Sequence, residues 1–272
     1  MPADMSSHNG NYPLESHARE MERLRIQSEA MAPDAQVMLD RIPVQNGWKC
    51  LDLGCGPCGI AKLLSPMVGL IGHVLGFDLD SAFLDYARSD APANVEFRQG
   101  DAYQTGLPPG SFDLVHVRFV ASTAGSPERL LREATRIARP GGIIALQEPD
   151  GASLNCYPPH PAWDRLKTAL LGAFAGVGAD LLLARRLYAL ARQAGLEDVQ
   201  YRTFIVAVRS SDPLIDYLPS TVESLRGTII RLGLLTEGEL PTLLAECRDH
   251  LQRPDTSFTM YTVAQVWGRT AR

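Results

Sequence analysis

The feature that most constrains the fold of this chain is a glycine-rich turn between a short apolar run and a segment of helical character. Residues 51–59 read LDLGCGPCG, with glycine at positions 54, 56 and 59. Glycines allow such a turn to bend tightly and let its backbone approach a ligand closely. The turn therefore predicts a strand–turn–helix unit with a binding site at the end of the strand.

Apolar runs and helical stretches alternate on both sides of this turn. Five strands are predicted there: Lys49–Leu53, His73–Phe77, Val95–Gln99, Phe112–Phe119 and Ile143–Gln147. Between the last two, the pair Ser126-Pro127 marks a helix start, and the sequence RPGG at residues 139–142 marks its end. Strands that alternate with helices form crossover units, so we expect an α/β fold with a doubly wound, parallel sheet.

The flanking segments are more helical. Residues 1–17 are polar and are expected to be partly mobile, and residues 18–42 form a helical segment that Pro33 divides in two. After residue 149 we predict helices and two strands, in the chain order Trp163–Gly176, Asp180–Gly195, strand Val199–Val208, helices within 212–253, and strand Ser257–Gly268.

These patterns predict three parts. Residues 1–45 form an N-terminal helical lid, and residues 46–150 form the ligand-binding core. Residues 151–272 supply cap helices, which are inserted between the last strands before the chain returns to the core sheet.

Composition limits the classes of partner. The 272 residues carry 26 basic and 31 acidic side chains, a net charge of −5, which disfavours nucleic acid as a partner. No apolar run approaches the roughly 20 residues of a membrane span, and the N-terminus has no apolar core typical of a signal peptide. Five cysteines are too few for a disulfide scaffold of this size, so we expect a cytoplasmic protein.

Three interpretations of the turn compete. Gly54, Gly56 and Gly59 match the dinucleotide fingerprint G-x-G-x-x-G, which favours an NAD(P)-dependent oxidoreductase. Cys55 and Cys58 form a C-x-x-C pair, which is typical of redox sites when a thiolate lies at a helix start. The third interpretation is a turn that binds a nucleoside-containing ligand.

Acidic residues at strand ends favour the third interpretation. Asp52 lies in the first strand, Asp78 follows the second, and Asp101 follows the third, within Gly100-Asp101-Ala102. The carboxyl ends of parallel strands meet at one edge of the sheet, where nucleotide-like ligands bind. Asp52 is expected to contact the amino-acid end of the ligand, Asp78 its ribose hydroxyls, and Asp101 with Ala102 its adenine.

On these motifs the chain resembles the class I S-adenosylmethionine-dependent methyltransferases of the small-molecule type, over roughly residues 20–150 and again in the closing strand at 261–268. The resemblance implies a Rossmann-like, seven-stranded sheet that binds S-adenosylmethionine. It places cofactor contacts at Gly54, Cys55, Gly56, Asp78, Leu79, Asp101, Ala102 and Arg118. A helix around Glu22–Gln27 resembles the lid of such enzymes, which adds Gln27. The chain departs from the family's pattern at two places. Cys58 stands where the family usually has its third glycine, and Val120–Thr123 stands where many relatives have Leu-x-His.

Methyl transfer needs alignment of the acceptor and exclusion of water, with a general base for some acceptors. His116 is the candidate base, with a buried structural histidine as the alternative. Arg118 is expected either to bind an anionic group of the substrate or to pair with Glu148. Glu148 and Asp150 are expected either to steer a cationic acceptor or to cap the next segment. Aromatic candidates for the pocket are Tyr157, Trp163, Phe174, Tyr188 and Tyr217. Cysteine spacing gives no metal site.

The sequence thus predicts an S-adenosylmethionine-dependent methyltransferase that acts on a small, fairly hydrophobic acceptor, as in natural-product biosynthesis. Two alternatives stay open: an NAD(P)-dependent oxidoreductase, and a non-methylating protein that retains the cofactor fold. Expected partners are the small-molecule substrate and optionally a second copy of the chain, with no nucleic acid and no membrane. The acceptor and the atom methylated are left open.

Overall fold

The computed structural model describes residues 18–57 and 59–272. The expected mobility of residues 1–17 and the departure at Cys58 lie outside the described residues.

Ten helices and ten strands are assigned within the described ranges. The helices are α1 Ala18–Arg41, α2 Ala61–Val68, α3 Ser81–Arg88, α4 Val120–Thr123, α5 Pro127–Ile137, α6 Pro161–Gly176, α7 Leu187–Gln193, α8 Tyr217–Ser224, α9 Arg226–Arg231 and α10 Glu239–Leu251. The strands are β1 Lys49–Leu53, β2 His73–Asp78, β3 Val95–Gln99, β4 Phe112–Arg118, β5 Ala138–Asp150, β6 Asn155–Tyr157, β7 Glu197–Phe204, β8 Ala207–Arg209, β9 Ser257–Thr259 and β10 Thr262–Arg269.

Seven strands form the main sheet, in the order β3-β2-β1-β4-β5-β10-β7. Strands β1 to β5 are parallel to one another, whereas β10 runs antiparallel to both β5 and β7. This architecture confirms the predicted Rossmann-like α/β sheet. The strand order reverses between β1 and β4, and the carboxyl-end crevice at such a switch point is where ligands bind in open α/β sheets.

The central strand is buried on both faces, as expected for a parallel sheet covered by helices. Cys50, Leu51 and Leu53 of β1 have no exposed surface, and Leu51 is paired with Leu75 on one side and Val115 on the other. The apolar residues at positions 50, 51 and 53 explain why β1 was predictable with its observed bounds.

The first correction concerns Pro33, which does not divide the N-terminal helix. Helix α1 continues from Ala18 to Arg41 with Pro33 inside it. A proline removes one backbone donor from a helix interior, but packing can hold the helix together. Here Met31, Ala35 and Met38 lie on either side of the proline and are buried against the rest of the protein.

The second correction concerns two strands that were predicted as continuous. Each is divided between the main sheet and a second, three-stranded sheet with the order β6-β9-β8. The break between β7 and β8 lies opposite the break between β9 and β10, where the Met260 N–H donates to the Val206 carbonyl at 2.9 Å. The residues at the two breaks, Ile205-Val206 and Met260-Tyr261, are apolar or aromatic, so the sequence carries no turn signal of the change.

The core has three parts. One apolar cluster joins α6, α8, α9 and α10 to the second sheet, and the other two lie against the main sheet. Leu183, Leu187 and Leu190 belong to a main-sheet cluster, so the segment around α7 packs on the sheet and not in the cap. No helix in the described part of the chain is long and apolar enough to cross a membrane.

Candidate active site

A cavity of about 740 Å³ lies at the carboxyl edge of the main sheet, between the sheet, α1 and the helices after β5. Its volume is in the usual range for small-molecule sites. One part, the sheet half, is lined by Gly54, Cys55, Gly56, Asp78, Leu79, Asp101 and Ala102. The other part, the cap half, is lined by Gln27, Met31, Leu170, Phe174, Tyr217 and Tyr261.

The glycine-rich turn forms the floor of the sheet half. Gly54 and Gly56 both have left-handed backbone conformations, with φ of +74° and +56°. A Cβ atom on Gly54 would lie 2.1 Å from Cγ2 of Val120, whereas a Cβ on Gly56 would meet nothing within 4 Å. Gly54 is thus required by both conformation and packing. Gly56 leaves bare backbone beside open space, where a ligand can approach the chain closely.

Two acidic side chains stand beside this floor. Asp78 accepts hydrogen bonds from the Gly56 N–H at 2.8 Å and the Asp80 N–H at 3.0 Å, and burial raises the pKa of its carboxyl. Asp101 uses one carboxylate oxygen to accept from the Tyr103 N–H at 2.8 Å. Leu79 is 54% exposed although it is a large apolar residue, and it lines the cavity next to Asp78.

Comparison with known proteins agrees with this geometry. Residues 51–146 match the model of a methyltransferase domain family. A trans-aconitate 2-methyltransferase of Paracidovorax citrulli is 34% identical over 128 residues, which is 46% of this chain and 48% of that protein. The family match at residues 51–146 includes the glycine-rich turn, Asp78 and Asp101. Residues 51–146 thus match a methyltransferase domain, which is consistent with the resemblance to the class I S-adenosylmethionine-dependent methyltransferases.

Two further comparisons concern a curated relative and a solved structure. An uncharacterized 37.1 kDa protein in transposon TN4556 of Streptomyces fradiae is 37% identical over 126 residues, 45% of this chain and 36% of that protein. The chain thus spans half or less of the length of these two curated relatives. The structure of an S-adenosylmethionine-dependent methyltransferase from Aquifex aeolicus superposes with a TM-score of 0.53 at 16% identity, covering 92% of this chain and 99% of that one, which shows a shared fold.

The residues of the sheet half fit the family's cofactor, S-adenosylmethionine. The open space over Gly56 accommodates a group against the backbone, and Asp78 and Asp101 present carboxylates to the same space. Carboxylates at successive strand ends suit hydroxyl and amino donors of a nucleoside. The two-cysteine interpretation of the turn fits less well, because burial raises the pKa of the Cys55 thiol well above its ordinary value, the opposite of a reactive thiolate.

Asp52 does not line the cavity, in contrast to its expected contact with the ligand. Its side chain is 1% exposed and accepts from the Ile60 N–H at 2.7 Å, just before α2 begins. Its other oxygen lies 2.9 Å from Nδ1 of His116. A Cβ on Gly59 would lie 2.1 Å from the Asp52 carboxylate, so this glycine makes room for it. Asp52 therefore stabilises the turn without lining the cavity.

His116 does not reach the cavity, so we assign it no role as a base. It is fully buried, and burial lowers the pKa of its ring. Its Nε2 lies 2.8 Å from the Gln147 amide nitrogen, and its Nδ1 faces Asp52. Because the amide donates to Nε2, the ring proton lies on Nδ1 and is donated to Asp52. This placement agrees with the alternative interpretation of His116, a buried, hydrogen-bonded structural histidine.

The contacts of His116 continue across the sheet. Gln265 Nε2 donates to the Gln147 side-chain oxygen at 2.7 Å, and Arg202 Nη1 donates to the Gln265 side-chain oxygen at 2.6 Å. Arg202 Nη2 in turn donates to Asp34 of α1 at 2.9 Å. We call this series the buried relay; its members are Asp34, Arg202, Gln265, Gln147, His116 and Asp52. It connects the lid helix to the glycine-rich turn beneath the sheet half.

The remaining charged candidates are also explained by local structure. Arg118 lines the cavity and donates to the Ser28 hydroxyl at 3.0 Å, so the expected pairing with Glu148 is wrong. Glu148 is fully buried and accepts from the N–H groups of Ala121 and Ser122, and burial raises its pKa to about 8. Glu148 thus caps α4. Asp150 likewise caps a short 3-10 helix, by accepting from an N–H at 3.2 Å.

The cap half brings together residues that are distant in sequence. Gln27 Nε2 donates to the Tyr261 hydroxyl at 3.1 Å across 234 positions, and the hydroxyls of Tyr217 and Tyr261 are 3.3 Å apart. Arg23 donates to the Gln27 side-chain oxygen at 2.9 Å, and its guanidinium lies 5.6 Å from the ring centroid of Tyr217. Phe119 contacts Tyr261 edge-on.

Of the predicted aromatic residues, Phe174 and Tyr217 line the cavity, whereas Trp163 is buried in the cap core and Tyr157 and Tyr188 are exposed elsewhere. Sequence reasoning missed Tyr261, which lies in the break between β9 and β10 and belongs to no local motif. A signal for Arg23 was available, because it lies one helical turn before Gln27 on the same face of α1.

Proposed function

We propose that this protein transfers a methyl group from S-adenosylmethionine to a small, largely apolar organic acceptor, of the kind used in natural-product biosynthesis. One observation carries the proposal: a single cavity contains both the family's cofactor-binding features in its sheet half and an apolar chamber in its cap half. A donor and an acceptor held in one cavity satisfy the main requirement of this reaction.

Within the sheet half we assign the cofactor contacts by position. Asp101 and the backbone of Ala102 would hold the adenine, and Asp78 the ribose hydroxyls. The backbone of Gly54, Cys55 and Gly56 would approach the methionine moiety. Leu79 supplies an apolar wall, and Arg118 and Gln27 stand where the two halves of the cavity meet.

The chemistry divides between cofactor and protein. When bound, S-adenosylmethionine would supply a methyl group on a positively charged sulfur, and this sulfur is the leaving group when an acceptor bonds to the methyl carbon in line. The residues of the chain orient the acceptor and exclude water, which together account for much of the acceleration in such reactions. Met31, Leu154, Leu170 and Phe174 give the cap half an apolar lining for this purpose.

The organisation that supports this function is a lid over residues 1–45, a cofactor-binding core over 46–150 and an acceptor-selecting cap drawn from 151–272. The net charge of −5 favours a small molecule over nucleic acid as the acceptor. We also propose that the protein is cytoplasmic.

Calorimetric titration with S-adenosylhomocysteine, NAD and NADP tests the cofactor. Saturable binding of S-adenosylhomocysteine alone is expected. Binding of a nicotinamide cofactor instead would support the oxidoreductase alternative and overturn the proposal. Incubation with methyl-labelled S-adenosylmethionine and a panel of small acceptors then tests turnover. Binding without labelled product across a broad panel would favour a non-methylating protein that retains the cofactor fold.

A further inference from the structure

The cap half contains a group of polar side chains within an otherwise apolar lining. We call Gln27, Tyr217 and Tyr261 the tyrosine corner. Tyr217 and Tyr261 are 7% and 6% exposed, and all three residues line the cavity. They come from α1, α8 and the segment before β10, so the corner exists only in the folded protein.

The orientation of the Gln27 amide is fixed by its neighbours. Its oxygen accepts from Arg23 Nη1 at 2.9 Å, and a guanidinium can only donate. The amide nitrogen therefore faces Tyr261 and donates to that hydroxyl at 3.1 Å. Because this bond uses a lone pair of the Tyr261 oxygen, it leaves the Tyr261 proton free to be donated elsewhere.

The two hydroxyls of the corner have two protons but only one hydrogen bond between them. That bond spans 3.3 Å and uses one proton, whichever tyrosine donates. Within residues 18–57 and 59–272, the other polar contacts of these hydroxyls are with the Gln27 amide, which donates to Tyr261, and with the Thr221 side chain, which lies beside the Tyr217 hydroxyl. When Tyr217 donates the bond between the two hydroxyls, the Tyr261 proton has no acceptor in this part of the protein. Leaving a buried donor unsatisfied is costly, and such groups usually have a partner.

The surroundings of the corner favour a donor role. Burial raises the pKa of both tyrosines, which keeps their hydroxyls protonated at neutral pH. The Arg23 guanidinium lies over the Tyr217 ring, and its charge is balanced by the buried carboxylate of Glu20, to which it donates two hydrogen bonds. The acidic side chains that line the cavity, Asp78, Asp80 and Asp101, belong to the strand ends of the sheet side.

We propose that the tyrosine corner is an acceptor-binding subsite that takes a hydrogen-bond-accepting oxygen, a carbonyl or a carboxylate, of the molecule to be methylated. This inference rests on the proposed function, and it narrows the acceptor to an apolar body that carries such an oxygen. A ligand oxygen supplies the missing partner of the tyrosyl proton, while the apolar lining around it accommodates the rest of the molecule.

Fluorine NMR with four probes of one ring system tests the subsite. The probes are 4-fluorobenzoate, 4-fluoroacetophenone, 4-fluorotoluene and 4-fluorobenzylamine, each added to protein saturated with S-adenosylhomocysteine. We expect the benzoate and the acetophenone to bind about tenfold more tightly than the toluene, since one hydrogen bond to a buried donor has roughly that effect. The relative affinity of the first two probes distinguishes a carboxylate site from a carbonyl site. Equal binding of all four probes would overturn the proposal.

Two variants assign the effect to the corner. Y217F/Y261F removes both protons and should abolish the preference for oxygen-bearing probes, whereas Y188F, a change at a half-exposed tyrosine outside the cavity, should preserve it. Should the double variant fail to fold, Gln27→Glu replaces the donating amide by an acceptor that captures the tyrosyl proton, and it should abolish the preference with little change of shape. An unchanged preference in either folded variant would contradict the proposal.

The same samples separate this inference from the proposed function. Failure of the wild-type protein to bind S-adenosylhomocysteine would count against the proposed function. Normal binding of S-adenosylhomocysteine without a preference among the probes would remove the subsite alone.

Discussion

The sheet half of the cavity is built from residues close in sequence, whereas the cap half is assembled from segments that are far apart. Gly54, Cys55 and Gly56 are adjacent in the chain, and Asp78 and Asp101 each lie at the end of a strand. In the cap half, Gln27 meets Tyr261 across 234 positions. The sheet half also presents backbone and carboxylates, whereas the cap half presents apolar side chains and hydroxyl donors.

This difference separates two tasks. A cofactor shared by a whole family can be recognised by a short turn and by strand ends, whose positions follow from the sheet itself. An acceptor is recognised by side chains on helices that vary independently of that sheet. If this division is correct, changes beneath the sheet half should affect cofactor binding and leave probe binding in the cap half unchanged.

The largest effect is expected at the centre of the buried relay. His116→Leu removes the donor to Asp52 and leaves the Gln147 amide without its acceptor, both in the interior. Leaving the buried Asp52 carboxylate and the Gln147 amide without these partners costs about 3 kcal/mol of unfolding free energy. Chemical denaturation measures this loss, and His116→Asn, which keeps a donor near Asp52, should recover part of it. Equal stability of H116L and the wild type would show that the relay does not support the turn.

A second change acts on the turn itself. Gly54→Ala places a Cβ atom 2.1 Å from Val120 at a φ of +74°, so the turn must move. We expect S-adenosylhomocysteine to bind about 100-fold more weakly, which corresponds to about 2.7 kcal/mol. Gly178→Ala is the matched control, because its φ is +83° but its Cβ meets nothing within 4 Å. The control should lose about 1 kcal/mol of stability from backbone strain and keep its cofactor affinity. Equal affinities of both variants would show that the packing at Gly54 is unimportant.

A smaller effect is expected from pH. Burial lowers the pKa of His116 in the folded protein below its ordinary value of 6.5. Below about pH 6.5 the unfolded chain therefore binds a proton at this position that the folded protein does not, and the folded state loses stability as the pH falls, by up to about 1.4 kcal/mol per pH unit. The wild type should lose stability faster than H116N between pH 6.5 and 5. Parallel stability profiles of the two proteins would contradict the neutral state assigned to His116.

Much of the sheet half was predictable because its determinants are local. The apolar residues of β1 and β2 predicted those strands. The glycines predicted the floor of the cavity, and the acidic residues at the strand ends predicted its carboxylates. The position of Asp52 was not predictable, since it depends on His116 of a strand 64 positions away. Pro33 was misread because the helix is held by tertiary contacts, which a local breaker signal does not include.

The cap half was less accessible to sequence reasoning. Tyr217 and Phe174 were candidates only as members of a list of aromatic residues, and Tyr261 was absent from it. The periodicity of the last strand gave no sign of the break between β9 and β10, and this break is what brings Tyr261 to the cavity. Side-chain pairing between distant elements was therefore the part that required the structure.

The division of the cavity into a cofactor half and an acceptor half is tested most directly by one calorimetric comparison. S-adenosylhomocysteine is titrated into the wild type, Asp101→Ala and Y217F/Y261F. Loss of the Asp101 carboxylate should weaken binding about tenfold, as expected for a hydrogen bond to a charged group, whereas the double tyrosine variant should bind like the wild type. Unchanged binding by D101A, or equal weakening of both variants, would contradict the assignment of the cofactor to the sheet half.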